Sequence, residues 1–173
     1  MTTIAGIVHK DRVWLAGDSC ISWGDRVEVV REPKVWVSRG IAIGAAGPLR
    51  GLQLLQHRLK IPALPKATDD DDLARWLTVR LPDEIRKCYA GEKEVECDLL
   101  IGVRGWLVVV DSDHSWIHPA DGIGAVGSGA DSAVATLRAS SRRAAPKTRL
   151  ARALTAATAQ GSGTRPWFRY VSV

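Results

Sequence analysis

The chain has 173 residues, 46% of them hydrophobic and 25% charged, which is the balance of one globular domain and excludes a disordered tail. No apolar run approaches the ~20 residues of a bilayer-spanning helix, and Met1-Thr2-Thr3-Ile4 lacks the basic-then-apolar pattern of a secretory signal. A net charge of +5 raises the question of an anionic partner, while three scattered cysteines (Cys20, Cys88, Cys97) without a CxxC exclude a disulfide scaffold and a zinc finger and lead to the expectation of reduced thiols in a cytoplasm.

Thr2 to His9 is rich in β-formers, Lys10-Asp11 reads as a tight turn, and Arg12 to Gly17 alternates well enough to pair back as a hairpin. Val27 to Val30 and Val35 to Val37 are short β-branched runs. Gly40 to Gly47 is apolar with glycine punctuation, the pattern of a buried strand ending in a close-approach turn. Pro48 sits where a first helical residue should, and Leu49, Leu52, Leu54, Leu55 and Leu59 form a mostly helical stripe to about Lys60. Ile61 to Lys66, with two prolines, is a connector. A second helix is expected from about Asp70 to Tyr89, with Asp69 to Asp72 as its cap and first turn, where the helix dipole favours acids. Consecutive aspartates on a helix point in different directions, which argues against a metal site there.

The second half returns to strands at Asp98 to Val103, Trp106 to Val110 and Trp116 to His118. Gly122 to Gly129 is glycine-rich, Ala130 to Ser140 is a helix, Pro146 opens another to about Ala159, and Trp167 to Val173 closes the chain as a strand. Two runs of helices between runs of strands imply layered packing of one domain over residues 1–173, not alternating βαβ units. Arg138, Arg142, Arg143, Lys147, Arg149 and Arg152 lie in a stretch without an acid and read as the solvated faces of the last two helices. No aromatic interleaving accompanies them, so a nucleic-acid partner is not expected. His114 and His118 have i,i+4 spacing, but in a strand-and-turn region with Pro119, so no metal is expected. The tryptophans fall mostly in strands and read as core.

Three polar residues stand out near the start: Thr2, Asp18 and Lys34, each 16 residues from the next. Taken singly, Asp18 and Lys34 are ordinary strand-end residues, and Gly127-Ser128-Gly129 is an ordinary glycine turn with a helix cap. Together, Thr2-Thr3-Ile4, Ala16-Gly17-Asp18, Lys34-Val35, Ile43-Gly44-Ala45-Ala46-Gly47 and Ile123 to Gly129 resemble, nearly end to end and in order, the bacterial proteasome-like peptidase HslV. They are also similar to proteasome β-type subunits, members of the N-terminal-nucleophile hydrolases. The resemblance implies an α+β fold, a four-layer αββα sandwich, in agreement with the element order.

It also implies roles. A threonine hydroxyl is a weak nucleophile that needs an adjacent base, and as first residue its own α-amine, titrating near about 7.7–8.0, supplies one. Thr2 would be the nucleophile, Lys34 the nearby positive charge that favours the neutral amine and the alkoxide, and Asp18 the partner that holds Lys34. Gly44 matches the glycine whose N–H stabilises the oxyanion, and Ser128 the serine that hydrogen-bonds near the amine. Ser22 matches the position that pairs its backbone with substrate, while Ile21 and Trp36 are expected to wall the substrate pocket. Cys20 has no histidine partner for nucleophilic work, although it could line the cleft.

Two features bear on activity. The slot of a supporting family aspartate holds Ala159, with Ser162 as a substitute, and Met1 must be removed to expose Thr2, a removal that the small second residue favours. The resemblance thus implies a cytoplasmic threonine endopeptidase of a homo-oligomeric ring, two stacked hexamers if it follows the HslV pattern, acting on peptides or unfolded proteins without a cofactor. No GxxxxGK[ST] occurs, so any ATP would enter through a separate unfoldase. The alternatives are a weak or inactive structural ring subunit and an amidase of small amides.

Overall fold

The computed structural model describes residues 2–23, 26–66, 69–159 and 167–173. Strand β1 (Thr3–His9) turns through Lys10 and Asp11, both at positive φ (50° and 59°), into β2 (Arg12–Gly17). Two successive left-handed residues make the hairpin turn whose twist matches its strands. Sheet order is β10-β1-β2-β11, with β10 spanning Ile123–Gly127 and β11 Arg169–Ser172, and all neighbours antiparallel. A second sheet, β5-β6-β7-β8-β9, contains β5 (Val35–Ser38), β6 (Ile41–Ala46), β7 (Asp98–Val103), β8 (Trp106–Val110) and β9 (Trp116–Ile117). Strands β3 (Cys20–Trp23) and β4 (Arg26–Val29) form a separate ribbon.

The alternation of side chains along each strand sorts residues into layers. In β1, Ile4 faces the other sheet, where it joins Leu15, Val35, Leu100, Leu107 and Val126, whereas Ala5 and Ile7 face helices α4 (Ala130–Ala139) and α5 (Pro146–Ala159). In β6, Ala42 and Ala46 face the first sheet, while Ile41, Ile43 and Ala45 face α1 (Leu49–Arg58) and α3 (Leu81–Tyr89). The result is the expected αββα sandwich.

Several expectations are refined. Pro48 is the cap residue of α1 (ψ 139°), one position before the helix proper. Asp69 caps α2 (Asp70–Arg75) by accepting from Asp71 N–H at 3.0 Å. The long second helix is interrupted by a π-helical stretch at Trp76–Arg80, where Leu81 N–H reaches back to Trp76. Pro82 follows at once; it lacks an N–H and would clash with the carbonyl four residues back, which the wider turn relieves. Strands β3 and β10, absent from the sequence reading, are short or glycine-rich.

The tryptophans are not core as a class: Trp76, a helical residue, is buried, but Trp14, Trp36, Trp106 and Trp116 are half-buried and Trp167 is 79% exposed. Nor is Arg149 on a solvated face. It is buried between α4 and α5, donating to Ser140 Oγ at 2.8 Å and Leu137 O at 2.9 Å, so it satisfies one carbonyl and a hydroxyl at the end of α4. Arg138 is paired with Asp121 at 2.8 Å.

Candidate active site

The start of β1, the end of β2 and the residue before β5 meet at one end of the sandwich. Antiparallel register sets Ile4 opposite Gly17, which brings Asp18 beside Thr3, and the Asp18 N–H donates to Thr3 O at 3.3 Å. The Asp18 carboxylate accepts from Thr3 N–H (2.9 Å), Cys20 N–H (3.0 Å) and Lys34 Nζ (3.0 Å). Lys34 Nζ donates in turn to Thr2 Oγ1 at 2.8 Å and to the Cys20 carbonyl. The Asp18 and Lys34 side chains are almost fully buried, while Thr2 is half-buried. Burial holds the Lys34 ammonium below the ordinary lysine range, and the Asp18 carboxylate opposes that shift. A cation thus sits against a hydroxyl at the first sandwich residue, fixed by a carboxylate whose own oxygens are satisfied.

On the other flank, Ser128 Oγ donates to Thr2 O at 3.4 Å. Gly127, opposite Thr3 in the register and at φ 93°, passes so close to the Thr2 carbonyl that any Cβ would collide with it. The glycine turn therefore wraps the Thr2 backbone.

Thr2 opens on a cavity of about 190 Å³ lined by Ile21, Ser22, Lys34, Gly47, Pro48, Leu49 and Leu52. Ile21 and Ser22 lie on the wall of this cavity, beside Thr2. Trp36 does not: it packs on the helix side of β5 and lines a different cavity with Leu55, Leu59 and Ile61, because alternation turns it away from Val35 and the sandwich interior. Cys20 is fully buried, and its backbone N–H and carbonyl contact Asp18 and Lys34.

Gly44 also differs from expectation. Peptide N–H groups alternate in direction along a strand. Since Ala45 N–H donates to Lys34 O at 3.1 Å, Gly44 N–H points the opposite way, toward β7, where Gly44 lies opposite Leu100. It is thereby engaged in the sheet, and Gly44 is required for a different reason: a Cβ there would lie 2.5 Å from Ile4 Cγ2. Gly47, two residues beyond Ala45 on the Lys34 side, borders the cavity. The sequence signal for it was present in the same glycine-punctuated run; choosing between the two glycines required the strand register.

Ala159 ends α5 with its side chain exposed. Ser162, its suggested substitute, and Met1 lie outside the described residues. Among the described residues, no group of three or more His, Cys, Asp or Glu is arranged to hold a metal ion, and no helix is long and apolar enough to cross a membrane. His118 instead stacks on Trp106, with ring centroids 4.2 Å apart.

The chain matches no protein-family model and no curated protein sequence. Solved structures do match. HslV from Trypanosoma brucei is 24% identical, with 99% of this chain and 98% of that chain covered and a TM-score of 0.74. BPH of Thiobacillus denitrificans, solved in complex with epoxomicin, is 16% identical, with 99% and 98% covered and a TM-score of 0.80. Anbu, an ancestral beta-subunit from Yersinia bercovieri, is 18% identical, with 99% and 81% covered and a TM-score of 0.69. The fold is that of the proteasome-like N-terminal-nucleophile hydrolases.

Proposed function

We propose that the protein is a threonine-type endopeptidase whose nucleophile is Thr2, exposed as the first residue once Met1 is removed. The observation that carries this reading is the 2.8 Å contact from the buried Lys34 ammonium to Thr2 Oγ1, with Lys34 itself held by Asp18. Thr2 Oγ attacks the substrate carbonyl while its proton passes to the α-amine. The new C–O bond and the broken C–N bond leave an ester on Thr2, and the amine delivers the proton to the departing amine. Water then attacks the ester, releasing the acid and restoring the hydroxyl. Lys34 stabilises the developing alkoxide in a dry setting, where a fixed charge counts for more than in water. Gly47, in place of Gly44, offers the N–H for the oxyanion, and Ser128 steadies the Thr2 backbone.

A peptide substrate is supported by the small cavity beside Thr2, where Ile21, Leu49 and Leu52 meet Ser22 and Lys34 and leave room for one small side chain next to the scissile bond. Assembly into a homo-oligomeric ring, with a separate ATP-driven unfoldase for folded substrates, completes the reading. Intact mass before and after epoxomicin treatment tests it. Loss of the Met1 mass followed by a single adduct, absent in Thr2→Ala, is the expected result. A processed chain that takes no adduct and cleaves no peptide would instead favour an inactive ring subunit, the reading to which Ala159 lends support.

A further inference from the structure

Beneath the cavity wall, the segment from Val95 to Cys97 runs against the turn Gly47-Pro48 and the first turn of α1. Three contacts define this joint. A Cβ on Gly47 would lie 2.7 Å from Cys97 Sγ and 3.0 Å from both Cys97 Cα and Glu96 O. A Cβ on Gly51 would collide with Val95 O and lie 2.9 Å from Cys97 Sγ. The Cys97 thiol lies within reach of two carbonyls, Val95 O at 3.6 Å and Pro48 O at 3.8 Å. Two glycines four residues apart thus admit one buried sulfur, and the chain closes on it with no spare room. Gly47 is exposed on its cavity side, so Cys97 supports it from the opposite side.

We infer that Cys97 is a positioning residue for the reaction, setting the height of the Gly47 N–H relative to Thr2 Oγ. The inference rests on the peptidase reading and deepens it. The role is one of shape, not of thiol chemistry. An oxyanion donor acts mainly on the tetrahedral species, so a small displacement lowers kcat and leaves KM largely unchanged. Because α1 starts at the same turn and Leu49 and Leu52 wall the cavity, removing the sulfur lets the turn sink toward the vacated space.

The test compares Cys97→Ala, Cys97→Ser and Cys88→Ala in the full processed chain. Cys88 is buried in the same hydrophobic cluster but on α3, so its truncation reports a generic loss of packing. Expected is a roughly tenfold fall in kcat for Cys97→Ala with KM within about twofold, the scale of a small misplacement of catalytic groups. Cys97→Ser, which restores a side chain of nearly the same reach, should recover most of it, and Cys88→Ala should leave kcat unchanged. A parallel weakening of binding by a peptide boronate, which forms a tetrahedral adduct on Thr2, should accompany the kcat loss. An active wild type with Cys97→Ala unchanged in kcat overturns this inference alone, as does an equal loss in Cys88→Ala. If Cys97→Ala does not fold, Cys97→Thr, which keeps the reach of serine but adds a methyl in the space bounded by Gly47 and Gly51, decides: a kcat well below that of Cys97→Ser at unchanged KM supports the role, and kinetics equal to Cys97→Ser overturns it. A processed wild type that neither cleaves peptides nor reacts with epoxomicin overturns the peptidase reading, and this inference with it.

Discussion

Thr2, Asp18 and Lys34 are ordinary residues made unusual by their surroundings. Thr2→Ala should abolish peptide hydrolysis while the circular dichroism spectrum stays native, because alanine fits at a strand start and only the hydroxyl and one methyl of a half-buried side chain are lost. Lys34→Ala and Asp18→Asn should each cut kcat by roughly two orders of magnitude. Both also break a buried pair, at a cost of about 3–5 kcal/mol where one partner is left uncompensated. The two losses should be strongly non-additive, and additive losses in a double-mutant cycle would show that the residues do not act as one unit. Lys34 also sets a pH dependence. Its folded pKa lies below the ordinary 10.5 through burial, opposed by Asp18, so the unfolded chain binds more protons between the folded and unfolded values. Stability therefore rises with pH across that window, and the Lys34 contribution to catalysis is lost as pH climbs through the folded value. A profile of kcat/KM should rise with deprotonation of the Thr2 amine and fall on the alkaline side earlier than a free lysine would titrate. A flat alkaline limb beyond that range would argue against a catalytic charge on Lys34.

At the level of elements, whatever depends on local periodicity was legible in the sequence: β1 and β2 with their turn, the buried β6, the leucine stripe of α1 and the capped start of α2. Features that depend on a partner were not. The short β3 and the glycine-rich β10 are strands because of what they pair with, the π-helical stretch answers to Pro82, and Trp36 lies on the face that β5 happens to turn toward α1. Thr2, Asp18 and Lys34 were found from a resemblance of spacing, whereas assigning Gly47 over Gly44 needed hydrogen-bond direction. Gly44 is nonetheless indispensable to the sandwich. An alanine there would force its Cβ to 2.5 Å from the β-branched Ile4 and 3.2 Å from Val35 Cγ1, two stiff side chains of the inter-sheet core. Gly44→Ala should destabilise the chain by about 1–3 kcal/mol, read as a lowered midpoint in urea. A variant as stable as wild type would mean that the sheets can separate at this point.

For the whole molecule, the issue is containment. Thr2 is half-buried, and Gly47 and Pro48 beside it are exposed, so among the described residues the hydroxyl stays open to a peptide of general sequence. The surface also holds apolar groups that a solitary chain leaves wet. Every residue of β4 is exposed, Val29 at 60%, and with Trp167 at 79% it borders a cavity of about 760 Å³. A two-stranded ribbon such as β3–β4 is marginal by itself, yet it carries Ile21 and Ser22 on the wall of the Thr2 cavity. Association that covers this ribbon would steady the wall and close off the nucleophile in one step, which links assembly to activity. Light scattering coupled to size exclusion should give a mass many times 18.7 kDa. Dilution that dissociates the assembly should depress peptide cleavage and make Trp167 more accessible to a fluorescence quencher. A strict monomer at micromolar concentration, still cleaving peptides at full rate, would contradict the ring and shift the reading toward an amidase of small amides.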